Sequence, residues 1–106
     1  MRSDKRDKLE RAGWKVGDTK EFLGLTEAEA ALIDVRVSLA RELKRRRLER
    51  NLSQAALARR LRSSQSRVAK MEAGDPSVTI DLLLRSLFTA GSTSSDIGRV
   101  IAKARS

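Results

Sequence analysis

The stretch Leu52-Ser-Gln-Ala-Ala-Leu-Ala-Arg-Arg-Leu-Arg-Ser-Ser-Gln-Ser-Arg-Val-Ala-Lys-Met-Glu-Ala-Gly74 decides the fold. It reads as a helix, a tight turn and a second helix. Ser53 caps the first helix, whose buried face carries Leu57, Ala58 and Leu61 at the spacing of a helical period. Ser63 or Ser64 opens the second helix, which offers only Val68 and Met71 to a core. Gln65, Ser66, Arg67, Ala69 and Lys70 fall on its other faces. That helix has little apolar surface and many groups suited to reading base edges.

Upstream, Thr26-Glu-Ala-Glu29 has capping-box spacing and predicts the start of a long helix. Leu32, Val35, Leu39 and Leu43 then lay one apolar stripe along it. Asn51, which tolerates the left-handed conformation, is the expected stop just before the Ser53 cap. The pattern near Asp34 is dense enough to serve one helix or two. Arg41, Lys44, Arg45, Arg46, Arg47 and Arg50 crowd the last turns, where cations suit the helix dipole. Such a run reads either as a solvated face or as phosphate contacts beside the motif.

Downstream, Asp75-Pro76-Ser77 is a turn, because proline biases the residue before it away from the helical region. Thr79 caps a helix with Ile80, Leu82, Leu83, Leu84, Leu87 and Phe88, an apolar arc wider than a surface helix needs. Ile80, Leu83, Leu84, Leu87 and Phe88 are therefore expected to close the core, to pair two subunits, or both. Gly91 to Ser95 reads as a short flexible joint. Ser95 with Asp96 starts a last helix carrying Ile97, Val100, Ile101 and Ala104 on one face.

The N-terminal third is different. Met1 to Arg11 is almost entirely charged or polar and reads as a mobile arm, whose Arg2, Lys5, Arg6, Lys8 and Arg11 suit phosphate or a minor groove. Trp14, between Gly13 and Gly17, reads as an anchor on the helical body, with partner contact the lesser alternative. Asp18 or Thr19 caps a short turn from Lys20 to Leu23, and Phe22 and Leu25 are expected to cover the next helix. The expected divisions are 1–25 as arm and extension, 26–91 as the DNA-binding domain, and 92–106 as a C-terminal helix for a dimer or partner contact.

At 106 residues the chain fits one domain. Its 23 Lys+Arg against 14 Asp+Glu leave a net charge of +9, which favours a polyanionic partner, nucleic acid before anionic membrane. The sequence contains neither cysteine nor histidine, so disulfides, thiolate metal sites and imidazole catalysis are excluded. No nucleophile–base pair or metal cluster stands out, so no catalytic residue, metal or cofactor is expected. Aromatics number only three, Trp14, Phe22 and Phe88, too few for the base stacking that single-stranded nucleic acid needs. With no long apolar run and a polar N-terminus, the chain is expected in the cytoplasm, not in a membrane.

These residues also carry a family likeness. Leu52 to Gly74 resembles the helix-turn-helix of the phage-repressor class, the Cro/C1 or Xre family. The resemblance implies an all-α, compact, phage-repressor-like bundle of about five helices with an N-terminal extension. It places the second helix in the major groove, with Gln65 on adenine, Ser66 beside it, and Arg67 or Lys70 on guanine or phosphate. Ser53, Gln54 and Ser64 suit phosphates near helix N-termini, though Ser53 and Ser64 also read as caps alone. Arg46 is expected on phosphate. Arg62 stands where the family often has glycine, so a non-glycine residue is expected at positive φ, with its side chain toward phosphate. Arg47 and Glu72 match a charged pair that the family buries between helices.

Gly13-Trp14-Lys15-Val16-Gly17-Asp18 and Glu21 to Thr26 further resemble the extension that precedes this motif in HigA-like antitoxins. That likeness implies a partner toxin of the RelE/HigB type and repression of the pair's own operon. The leading expectation is a homodimeric repressor on a double-stranded operator, doubling as an antitoxin. Its alternatives are a protein-interaction module that neutralises a toxin with DNA binding secondary, and a stand-alone Xre-family regulator. A basic membrane-surface protein fits the charge but not the helix-turn-helix spacing.

Overall fold

The computed structural model describes residues 26–104. The arm at 1–11, the Trp14 anchor, the Lys20 to Leu23 turn and the cover by Phe22 and Leu25 lie outside the described residues. The chain divides into two units, 1–32 and 33–106. Of the first, only Thr26 to Leu32 is described, as the start of helix α1.

All regular structure among the described residues is helical: α1 Glu27–Glu49, α2 Gln54–Leu61, α3 Gln65–Glu72, α4 Ile80–Thr89 and α5 Ser94–Lys103. No helix among them is long and apolar enough to cross a membrane. Each helix starts where a short hydroxyl side chain takes up an otherwise unpaired N–H. Thr26 accepts from Glu29, Ser53 from Ala56, Ser64 from Arg67 and Thr79 from Leu82, at 3.0–3.2 Å. Of the two serines that could open α3, Ser64 is the cap.

The ends of α1 to α4 follow one rule as well. Asn51, Arg62, Gly74 and Gly91 all have positive φ, at 56°, 55°, 71° and 100°. In each case the next residue's N–H reaches back to a carbonyl in the last turn: Leu52 to Arg47, Ser63 to Ala58, Asp75 to Lys70 and Ser92 to Leu87, at 2.8–3.1 Å. Together with the bonds from Asn51, Arg62, Gly74 and Gly91 to Leu48, Arg59, Met71 and Phe88, this is the Schellman closure. The turn between α2 and α3 thus uses an arginine where glycine would cost less.

Between these stops, apolar faces meet in one core. Leu39 and Leu43 of α1, Leu57 and Ala58 of α2, Val68 and Met71 of α3, and Leu83 and Leu87 of α4 are buried together with Val78, Ala90 and Ile97. Val35, Leu61, Ile80, Leu82, Leu84 and Val100 are half-buried against them. The α1 stripe therefore enters the core only from Val35 onward, and Leu32 is exposed. Helix α1 is continuous past Asp34, without a second start.

Two expectations about the C-terminal end need correcting. Thr93, not Ser95, caps α5: its hydroxyl accepts from the Asp96 N–H at 3.1 Å, and Asp96 accepts from the Thr93 N–H at 2.9 Å. Thr-Ser-Ser-Asp completes both halves of a capping box, which a start at Ser95 cannot do. The segment from Gly91 is also no loose joint, because Ser92 is buried and its N–H is bonded to Leu87.

Helix α5 is tied to α1 by charge. Arg46 reaches Asp96 at 2.8 Å and Glu42 at 3.2 Å, while Arg45 holds Glu42 and Glu49, each at 2.6 Å. Bonds from Arg45 hold the Glu42 carboxyl below its ordinary pKa despite opposing burial, and Arg46 adds to the effect. The Thr93 N–H and hydroxyl lower Asp96, with help from Arg46 and Arg99. A carboxyl depressed in the folded state stabilises that state above its unfolded pKa, and the gain is lost as pH falls through the folded value. Asp96→Asn keeps an acceptor for Thr93 but removes the charge. It is expected to lower Tm at neutral pH, with the gap from wild type closing below about pH 4, as read by circular dichroism melts across that range.

Candidate nucleic-acid interface

From Leu52 to Gly74 the chain carries Arg59, Arg60, Arg62, Arg67 and Lys70 against one carboxylate, Glu72. That carboxylate is consumed internally. Arg47 donates to it through Nε at 2.6 Å and Nη2 at 3.0 Å, and through Nη1 to the Leu52 carbonyl at 2.8 Å. The side chains are only 9% and 4% exposed, so the pair sits where unpaired charge would be costly. Glu72 raises the Arg47 pKa, against the opposing effect of burial. The five cations of the motif are all exposed, and none of them has a buried counter-ion among the described residues.

The pair extends outward as a chain of hydrogen bonds. Gln54 Nε2 donates to Glu72 Oε1 at 3.2 Å, and Gln65 Nε2 donates to Gln54 Oε1 at 3.1 Å. The first residue of α3 is thereby linked, through the first residue of α2, to the buried ion pair that joins the end of α3 to α1. Gln65 still has one amide hydrogen and its carbonyl oxygen uncommitted, the donor and acceptor needed for the N7 and N6 edge of adenine.

Beside Gln65, the exposed side chains Ser66, Arg67 and Lys70 line a cleft of about 280 Å³ together with Ser64, Ser77 and Val78. Ser77 and Val78 belong to the turn between α3 and α4 and were not among the expected site residues. Arg36 of α1 donates to the Val78 carbonyl, and the Asp75 carboxylate accepts from the Ser77 N–H at 2.8 Å. That bond depresses the Asp75 pKa and shapes the turn locally. The turn was legible at Pro76, but its position against α3 was not, because Arg36 lies forty-two residues away in sequence.

The remaining expected site residues divide. Ser53 and Ser64 act as caps, with their hydroxyls accepting from backbone. Arg62 is exposed at the left-handed turn position, φ 55° and ψ 46°. Arg46 is not brought to this cleft: its guanidinium is held by Glu42 and Asp96 in a separate groove. Of the expected dimer or core residues, Leu83 and Leu87 are fully buried, Ile80 and Leu84 half-buried, and Phe88 is 51% exposed.

Helix α3 thus buries Val68 and Met71, turns a polar face outward, is braced on α2, and is flanked by a cationic cleft. No curated protein and no solved structure matches the chain. Residues 38–88, from the second half of α1 to near the end of α4, match the family model described as a helix-turn-helix domain.

Proposed function

We propose that this protein is a transcriptional regulator that binds duplex DNA sequence-specifically as a homodimer, with α3 in the major groove. The observation that carries this reading is the Gln65–Gln54–Glu72–Arg47 chain, which fixes a base-reading amide against a buried support. Arg67 and Lys70 supply guanine or phosphate contacts, and Ser64, Ser66, Ser77 and Arg62 border the backbone path. One short reading helix offers too few base contacts for useful specificity, so a second copy is needed. Phe88 on α4 and Ile101 on α5, 51% and 41% exposed, supply apolar surface for that pairing.

Selection from random duplexes should return a two-part site. Affinity for it should fall with salt at a slope near −0.9 per phosphate contact. Gln65→Ala should relax preference at one base pair per half-site, at a cost of about 1–3 kcal/mol. A flat salt response, or equal affinity for all duplexes, rejects the reading.

Repression of its own operon as the antitoxin of a RelE/HigB-type toxin rests on the Gly13 to Thr26 likeness. Deleting residues 1–25 should then abolish neutralisation of a co-expressed toxin while leaving duplex binding intact. If the deletion leaves neutralisation unchanged, the extension has another role.

A further inference from the structure

Helices α1 and α5 border a second groove, of about 520 Å³, whose lining carries Arg41, Arg45, Arg46, Arg99 and Lys103 with Glu42 and Asp96. Five cations line it with two carboxylates, and a third carboxylate, Glu49, also holds Arg45. On a helix, Glu42 lies about 140° around α1 from Arg47, and Arg41 about 120°. Since Arg47 points to the motif through Glu72, this groove looks away from the side of α1 that supports the reading helix. The charge it concentrates is therefore separate from the charge beside α3.

The carboxylates organise the cations without exhausting them. Glu42, 9% exposed, lies under Arg45 and Arg46, and Asp96 joins Arg46 to Arg99 at 2.8 and 2.6 Å. A guanidinium has five N–H donors. Arg46 commits Nε and Nη2, leaving Nη1. Arg99 commits Nη1 to Ser95 and Nη2 to Asp96, leaving Nε. Arg41 is exposed and makes no ion pair among the described residues. The result is a preset array of forked donors with a net positive charge, the chemistry that binds phosphate oxygens.

We propose that this groove is a binding site for a small polyphosphate, a ligand bearing two or more linked phosphate groups. Its volume falls within the usual range for small-molecule sites, roughly 300–1,000 Å³. Val100 is its one sizeable apolar side chain, so an acidic protein segment would find almost no anchor there. The ligand bridges α1 and α5, adding to the Arg46–Asp96 contact that already joins them.

Calorimetric titration of the full chain with inorganic triphosphate tests this, using two variants that each remove two positive charges. Arg41→Ala with Arg99→Ala strips the groove and leaves Asp96 on Arg46. Arg59→Ala with Arg60→Ala removes equal charge from the exposed face of α2. One site per chain is expected, weakened about tenfold or more by the groove variant and less than about twofold by the α2 variant. Equal losses in both variants, or no saturable binding, overturn the proposal. A short random duplex provides the second arm: if the groove variant weakens duplex binding as much as triphosphate binding, the groove is a DNA-backbone contact and the small-ligand assignment is wrong. The triphosphate arm requires no DNA binding, so its outcome is independent of the function proposed above.

Discussion

Glu72→Ala is expected to lower the free energy of unfolding by about 3–5 kcal/mol, because it leaves a buried arginine without its counter-charge. Arg47 has three bonds in the folded protein, two to Glu72 and one to the Leu52 carbonyl. With a side chain only 9% exposed, water cannot replace the two that are lost. The double variant Arg47→Met with Glu72→Leu should recover most of that loss, since replacing both members of a buried pair by apolar groups removes the desolvation cost as well. Urea unfolding of the three proteins makes the comparison. A loss below about 1 kcal/mol in the single variant would mean that solvent reaches the guanidinium, as in an exposed pair. The double variant carries a second expectation. Gln54 loses its acceptor on Glu72, so Gln65 is held less firmly, and base discrimination should weaken in a protein that remains folded.

Leu57→Ala is expected to cost about 2–5 kcal/mol, the sum of lost transfer free energy and the cavity left behind. Leu57 is 0% exposed and belongs to the same buried cluster as Val68 and Met71 of α3. Leu61, one turn further along α2, is only half-buried, and Leu61→Ala should cost distinctly less. Both substitutions are read by urea unfolding. If the order were reversed, the angle at which α2 supports α3 would not depend on Leu57. Because α2 is only eight residues long, it has little helical stability of its own and relies on this packing. Duplex binding should therefore fall with the folded fraction and not before it.

The two substitutions differ in how visible their mechanisms are from sequence. Leu57 announces itself by spacing: with Ala58 and Leu61 it marks one helical face, and burial of that face follows from the hydrophobic effect alone. The caps Ser53 and Thr79 and the left-handed stop Asn51 were equally legible, Ser64 was one of two candidates, and positive φ at Arg62 came from the family likeness. Their hydrogen bonds close locally, between residues three to five apart. Thr93 belongs to the same class and was readable as Thr-x-x-Asp. The competing Ser95–Asp96 pair concealed it.

Arg46 shows the opposite case. Five basic residues crowd the end of α1 and Arg50 follows it, and nothing local distinguishes the one that enters the core from those that pair at the surface or stay free. Arg47 faces Glu72 and Arg46 faces Asp96, partners twenty-five and fifty residues away. A rotation of about 100° between neighbours on the helix sends them to different sides. Likewise Arg50 lies against Gly91, a contact made only because the ends of α1 and α4 meet. Ser77 and Val78 joined the cleft beside α3 through the bond from Arg36 to the Val78 carbonyl, which no sequence period records.

By itself, then, the sequence determined which segments are helical, most of their starts and stops, which faces they bury, and that the second helix of the motif is polar. These outcomes depend on interactions within a turn or on a period, and both are written in consecutive residues. Only the tertiary structure decided which arginine is buried, which is clamped to α5, and how Gln65 is braced. A long charged side chain reaches several partners at similar energy, and the choice among them is made by the packing of elements distant in the chain.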